Sequence, residues 1–185
     1  MRDLDLALFV FWNLTPVDPP WVVELARMSS GLLPLIAIFS LVALILLGSR
    51  RLRHGCLEMA LGMVIVWLLV TFINDVWPQP RPFVLGIGHL WIEHKPTSGF
   101  PSRHGAVGLA FGFSAVLVSP VRWLGVLGLI IGLSIAWSRV ALGVHFPSDV
   151  IAGGLIAALV VAVVHWLLGL LKNTDCSGPN QSTGA

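Results

Sequence analysis

Three short stretches carry side chains able to handle a phosphate. Ser138-Arg139 is followed after five residues by His145, and after three more by Asp149. Pro101-Ser102-Arg103-His104-Gly105 heads an apolar run, and Arg81-Pro82 follows another. Arg81 and Arg139 offer planar forks that match phosphate oxygens two at a time. Ser102 fits an N-cap, and the free N–H groups and dipole of the helix it opens favour an anion. His104, one turn in, can exchange a proton near neutral pH. His145 stands just before Pro147, a residue suited to a first helical turn, and Asp149 is near enough to hold one imidazole nitrogen. The other nitrogen is then free to act as nucleophile or base. Histidines, one with a carboxylate partner, and arginines around a helix start describe phosphoryl transfer. Carboxylates are scarce nearby (Asp149, Asp75 and Glu93), so no metal and no other cofactor is expected.

Something must bring these stretches together, and the composition says what. Of 185 residues, 56% are hydrophobic and 11% are charged, against about 25% charged in soluble proteins. Mean hydropathy is +0.89. An all-α, multi-span membrane bundle follows. At about 20 apolar residues per span, five spans are expected, over 29–48, 55–77, 103–119, 121–141 and 147–171. Residues 1–172 make one membrane domain, and the small polar residues of 173–185 are expected to be a disordered tail. In MRDLDLALFVFWNL, Asp3 and Asp5 argue against a signal peptide and the apolar run is too short to span. An amphipathic helix lying at the interface is expected there. A net charge of +2, with no basic run interleaved with aromatics, argues against nucleic acid. Cys56 and Cys176 make neither a disulfide framework nor a zinc site.

Loop charge orients the bundle. Arg50, Arg51, Arg53, Arg122 and Lys172 share one set of span ends, predicted to be cytoplasmic. Residues 78–102 and the 142–147 turn then share the outer face. Trp77, Trp91, Trp123 and Trp166 fall near span ends or in the outer loop, as interfacial anchors do. Arg81, Lys95, Arg103 and Arg139, with His89, His94, His104 and His145, lie on or near the outer face, against the charge bias. Anion binding accounts for them.

These stretches resemble the type 2 phosphatidic acid phosphatase superfamily of membrane lipid phosphatases, whose motifs read K-x6-RP, PSGH and SR-x5-H-x3-D. The third is complete here, the second is Pro101-Ser102-Arg103-His104, and the first keeps Arg81-Pro82. RPFV, HLWIEH and GFPSRHG look most like the bacitracin-resistance branch of undecaprenyl-diphosphatases. The resemblance implies a phosphatase of the bacterial inner membrane, with its site facing outside and its C-terminus cytoplasmic. It implies hydrolysis of undecaprenyl diphosphate to undecaprenyl phosphate and phosphate, which recycles the lipid carrier for peptidoglycan and resists bacitracin. His145 is then the nucleophile that becomes a phosphohistidine, Asp149 its orienting partner, and His104 the acid and later the base. Arg81, Ser102 and Arg139 bind the phosphoryl group. Two positions depart from the motifs: the lysine is Asn74, so a phosphate contact is missing, and the glycine is Arg103. Arg103 is expected to restore the lost charge or to favour a second phosphate.

Other readings compete. Phosphatidylglycerophosphate, phosphatidic acid or lipid A could be the substrate, and an acceptor other than water could take the phosphoryl group. A haem carrier would use histidines on facing helices, whereas His104 and His145 lie among arginines near outer span ends. A transporter or structural protein would tolerate loss of His145. Taken alone, Arg103 fits snorkelling as well as binding. His89 and His94 read as interfacial, and His165 as a packing residue deep in the last span. The apolar stretch 83–92 fits a lip against lipid or a cover over the core. Gly105, Gly108 and Gly112, and Gly125, Gly128 and Gly132, recur at helical spacing and let helices approach closely. Packing within the bundle is expected ahead of a homodimer through Gly128 and Gly132, and no protein partner is indicated.

Overall fold

The computed structural model describes residues 2–175, and these are helical in six segments. They are α1 (Arg2–Trp12), α2 (Pro20–Leu47), α3 (Arg50–Val76), α4 (Arg103–Val118), α5 (Arg122–Ala141) and α6 (Pro147–Asp175). A 3-10 turn, Pro82–Leu85, interrupts the long connection between α3 and α4. Among the described residues, α2, α3, α5 and α6 are long and apolar enough to cross a membrane. Their outward side chains, such as Phe39, Phe72 and Leu155, are mostly exposed. That surface is what a bilayer covers, so the chain is a multi-pass membrane protein.

Three boundaries differ from the expected spans. α2 starts at Pro20, nine residues before the expected 29. Glu24 and Arg27 interrupt the apolar run without ending the helix, because they pair along it at 3.9 Å while exposed. Pro20 at the first helical position sets the start. α3 begins at Arg50, so the basic stretch read as a loop is mostly helix; arginine and leucine are good helix formers. α6 runs on to Asp175, and residues 176–185 of the expected tail lie outside the described residues.

α4 is the odd member. Its 16 residues rise about 24 Å, less than the roughly 30 Å of a hydrocarbon core. It compensates by lying innermost, packed against α3, α5 and α6. Ala106, Leu109 and Ala110 meet Val66 and Val70 of α3, Ala136 of α5, and Ala157 and Val161 of α6. The glycines set how closely α5 approaches. A Cβ on Gly132 would lie 2.5 Å from the Gly108 carbonyl oxygen, and one on Gly128 would lie 2.5 Å from the Ala115 Cβ. The small-residue face of α5 is therefore used inside the bundle, against α4. Gly132→Ala is expected to lower the melting temperature in detergent, because the obstacle is backbone and overpacking costs about 1–3 kcal/mol. An unchanged melting temperature would mean that the α4–α5 spacing relaxes freely.

Short connections at 48–49 and 119–121 close one end of the bundle. The opposite end gathers the close of α3, the 77–102 connection, the start of α4 and the α5–α6 turn. α1 lies at this end, against α5 and α6. The amphipathic helix thus forms where expected, and it is docked onto the bundle.

Candidate active site

Arg81 is extended just after α3 and is 4% exposed. Carbonyls fix its guanidinium: Nε donates to Thr97 O at 2.9 Å, Nη2 to Ser98 O at 2.8 Å, and Nη1 to Val144 O at 3.3 Å. Nη1 also lies 2.8 Å from His145 Nε2. A guanidinium has no lone pair to accept with, so Nε2 is the acceptor and His145 carries its proton on Nδ1. That nitrogen lies 3.4 Å from Asp149 Oδ2, longer than a formed hydrogen bond, and has no partner within bonding geometry among the described residues. Catalytic contacts of this kind often tighten once substrate binds. The Asp149 carboxylate is itself held by the Phe146 N–H, which donates to Oδ2 at 2.9 Å.

Backbone shape delivers these groups. Gly143, at φ +78, makes the turn out of α5, and a side chain there would run into the His89 carbonyl. Pro147 starts α6 two residues after His145. Ser102 caps α4, accepting from the Gly105 N–H at 3.3 Å, and its own N–H donates to the Asp149 carbonyl at 3.0 Å. The two helix starts are tied together in this way. Arg139, in the last turn of α5, donates from Nη1 to Ser30 Oγ on α2, and its Nε has no partner among the described residues. Burying an unpaired donor costs about 1–3 kcal/mol. An anion oxygen would relieve that cost.

Arg81, Ser102, Arg139, His145 and Asp149 are each at most 5% exposed, so the site is enclosed on their side. Arg103 and His104, within the field of Arg81 and Arg139, line the wall of a half-open cavity of about 350 Å³. Pro34, Ala37 and Ile38 of α2, Met63 and Trp67 of α3, Val107, Gly108 and Phe111 of α4, and Ile135 of α5 make the rest of that wall almost wholly apolar. Arg103 also reaches Thr71 of α3, with Nη1 3.4 Å from Oγ1. All seven residues singled out from the motifs therefore gather at one end of the bundle.

The structure adds contacts at several other positions. Asn74 is no mere gap: its Nδ2 donates to Val70 O at 2.9 Å and to Pro101 O at 3.0 Å, tying α3 to the start of α4. Trp91 also acts as a clasp; its Nε1 donates to Leu14 O at 2.7 Å, and Arg27 lies over its ring. His94 is half-buried beside Phe83, within the field of Arg81, Arg139 and Arg103. Burial first, and then those arginines, lower its affinity for a proton. His165 does lie deep in α6, where Nδ1 is 2.5 Å from Glu58 Oε1.

A buried triple of arginine, histidine and aspartate beside a serine-capped helix start is what phosphoryl transfer needs. The PAP2 superfamily model matches residues 55–172, which include every one of these groups. The chain belongs to the PAP2 superfamily. Among similar PAP2 relatives, YbjG of Escherichia coli (strain K12) is 34% identical over 160 residues, covering 86% of this chain and 80% of that protein. A Sulfolobus acidocaldarius protein named undecaprenyl-diphosphatase is 32% identical over 139 residues, covering 75% of this chain and 64% of that one. The crystal structure of Aquifex aeolicus LpxE superposes with a TM-score of 0.69 over 87% of this chain and 94% of that chain, at 23% identity. The last likeness concerns the PAP2 fold alone.

The electrostatics of this PAP2 site bear on pH. Burial holds the His145 imidazole well below its usual pKa, and the charges of Arg81 and Arg139 push the same way. Burial also brings Arg81 down to about 10; Arg103 adds to the fall and Asp149 opposes it. At neutral pH, Arg81 is charged and His145 is neutral. A base needed in its neutral form stays competent until pH falls below its own pKa. The His145 imidazole itself is therefore expected to titrate below pH 6.5, and an NMR titration midpoint for that ring at or above the ordinary histidine value would contradict this picture.

Proposed function

We propose that this PAP2 protein is a membrane lipid-diphosphate phosphatase whose substrate is undecaprenyl diphosphate. The carrying observation is the buried His145, whose Nε2 accepts from Arg81 while its Nδ1 faces the Asp149 carboxylate. As the substrate phosphate draws Arg81 Nη1 away from Nε2, the freed Nε2 lone pair attacks the terminal phosphorus while the bridging P–O bond breaks. The leaving group is undecaprenyl phosphate, protonated by His104. Arg81, Ser102 and Arg139 hold the non-bridging oxygens of the transferred group, and Asp149 keeps the Nδ1 proton in place. Water then attacks the phosphohistidine, His104 takes its proton, and inorganic phosphate leaves with His145 restored. The apolar cavity takes the near part of the lipid chain.

Relatives named undecaprenyl-diphosphatase support the choice of lipid. The positive-inside tendency supports an outward-facing site in a bacterial inner membrane, because Arg50, Arg51, Arg53 and Arg122 crowd the opposite end. Such an enzyme would return the carrier to peptidoglycan synthesis and protect against bacitracin. Phosphate release from a panel of lipid phosphates tests the reading. Turnover of undecaprenyl diphosphate ahead of phosphatidic acid and phosphatidylglycerophosphate is expected, and the reverse order would overturn the substrate assignment.

Arg103 supplies the second arm. It stands near Thr71, one turn before Asn74, so its charge covers the end of α3 that the motif lysine would occupy. Arg103→Gly is expected to lower kcat/KM about tenfold, as for a lost charged hydrogen bond, and Asn74→Lys in the same chain should recover part of it. An unchanged kcat/KM in Arg103→Gly would remove Arg103 from the binding set.

A further inference from the structure

α1 carries Asp5 and Phe9, and Asn13 follows its last residue with its N–H still donating to the Phe9 carbonyl; each is four residues from the next, so the three share one stripe. The stripe faces the α5–α6 turn. Asp5 Oδ1 accepts from the Ser148 N–H at 2.9 Å, and Oδ2 accepts from the Ser148 hydroxyl at 2.6 Å. Phe9 is fully buried, with its ring 5.4 Å from that of Phe146 at 60°. Asn13 Nδ2 donates to the Ala141 and His89 carbonyls at 3.1 and 3.0 Å, while its Oδ1 accepts from the His89 N–H at 2.7 Å. Leu14 adds a backbone hydrogen bond to Ala141 O at 2.9 Å.

These contacts bracket the turn that carries His145. One end of α1 holds the close of α5, which bears Arg139, and the other holds the start of α6, which bears Asp149. α6 needs the help. The residue before its first turn is Phe146, which has no side-chain oxygen with which to cap the free N–H groups. Asp149 reaches back to the Phe146 N–H, as the third residue of a capping box does. The forward half of that exchange comes from another helix, through Asp5. A carboxylate there also complements the helix dipole.

We infer that α1 is a positioning strap for the reaction, and that Asp5 is a positioning residue that sets the His145–Asp149 pair by capping α6 from outside. This rests on the phosphatase reading above. The test uses the full chain in detergent, as wild type, Asp5→Ala and Asp5→Asn. Phosphate release from undecaprenyl diphosphate is measured together with hydrogen exchange of the Phe146 amide, which Asp5 does not touch. In Asp5→Ala, kcat should fall about tenfold or more, with KM within about twofold of wild type and faster exchange at Phe146. Asp5→Asn keeps one acceptor oxygen and should recover part of both effects. Wild-type kcat in Asp5→Ala, or a lost kcat with Phe146 still protected, would overturn the inference. If the wild-type chain releases phosphate from no lipid phosphate, the phosphatase reading fails by itself. Phe146 exchange then decides the strap alone: faster exchange upholds it and unchanged exchange removes it.

Discussion

His145→Ala is expected to lower phosphate release by about 10⁴-fold or more, because it removes the atom proposed to attack phosphorus. Among the described residues, no other group joins Arg81 and Asp149 as His145 does. His104 is on the cavity wall, and its role needs a proton to give. The variant should still fold, since the imidazole packs beside the α5–α6 turn and its loss leaves a small gap at the end of the bundle. Its melting temperature in detergent separates a dead site from a lost fold. Acid-labile label from a radioactive terminal phosphate should be trapped on the wild type and absent from the variant. Activity within about tenfold of wild type would end the phosphohistidine mechanism and return a transporter or structural role to consideration.

Arg81→Lys should cost about 10²–10³-fold in kcat, the usual size for one preorganised charge-stabilising donor. The substitution keeps a positive charge, so a purely Coulombic role would predict a mild effect. The geometry predicts otherwise. Arg81 uses its fork to join Thr97, Ser98 and Val144 while aiming Nη1 at His145 Nε2. An ammonium is a point charge with no fork, and it cannot hold all four. Two things should therefore fail together: stabilisation of the transferred phosphoryl group, and the hold of the 97–98 stretch on the turn before His145. A variant with kcat within a factor of about three would reduce Arg81 to a nearby charge.

What the sequence made legible was local. SR-x5-H-x3-D places His145 and Asp149 four residues apart at a helix start, a separation that chain geometry alone brings into contact. Ser102 as a cap and Pro147 as a helix opener are equally short-range statements, and both hold. The apolar runs located the crossing helices because hydropathy reports burial in lipid directly. What escaped were contacts between distant residues. Asp5 reaches Ser148 across 143 positions, and Asn13 reaches Ala141 across 128. Nothing but the four-residue spacing of the α1 stripe hinted at either. Asn74 read as a lost charge because the motif lysine was the standard of comparison, whereas its Nδ2 donates to two backbone carbonyls. The extension of α2 to Pro20 was hidden for a different reason: hydropathy sees charged residues as boundaries, and a helix need not end where its apolar face does.

The half-open apolar cavity beside Arg103 and His104 has a thermodynamic consequence. A lipid tail that moves there from the bilayer exchanges one hydrocarbon surrounding for another. Little apolar surface leaves water, so the usual gain of about 25 cal/mol per Å² is largely forfeited. The tail then guides the molecule without binding it tightly, and nearly all discrimination falls to the phosphates. On the diphosphate reading proposed above, product release gains from the same balance: the chain adds little to hold the product, and one phosphate fewer remains to be released.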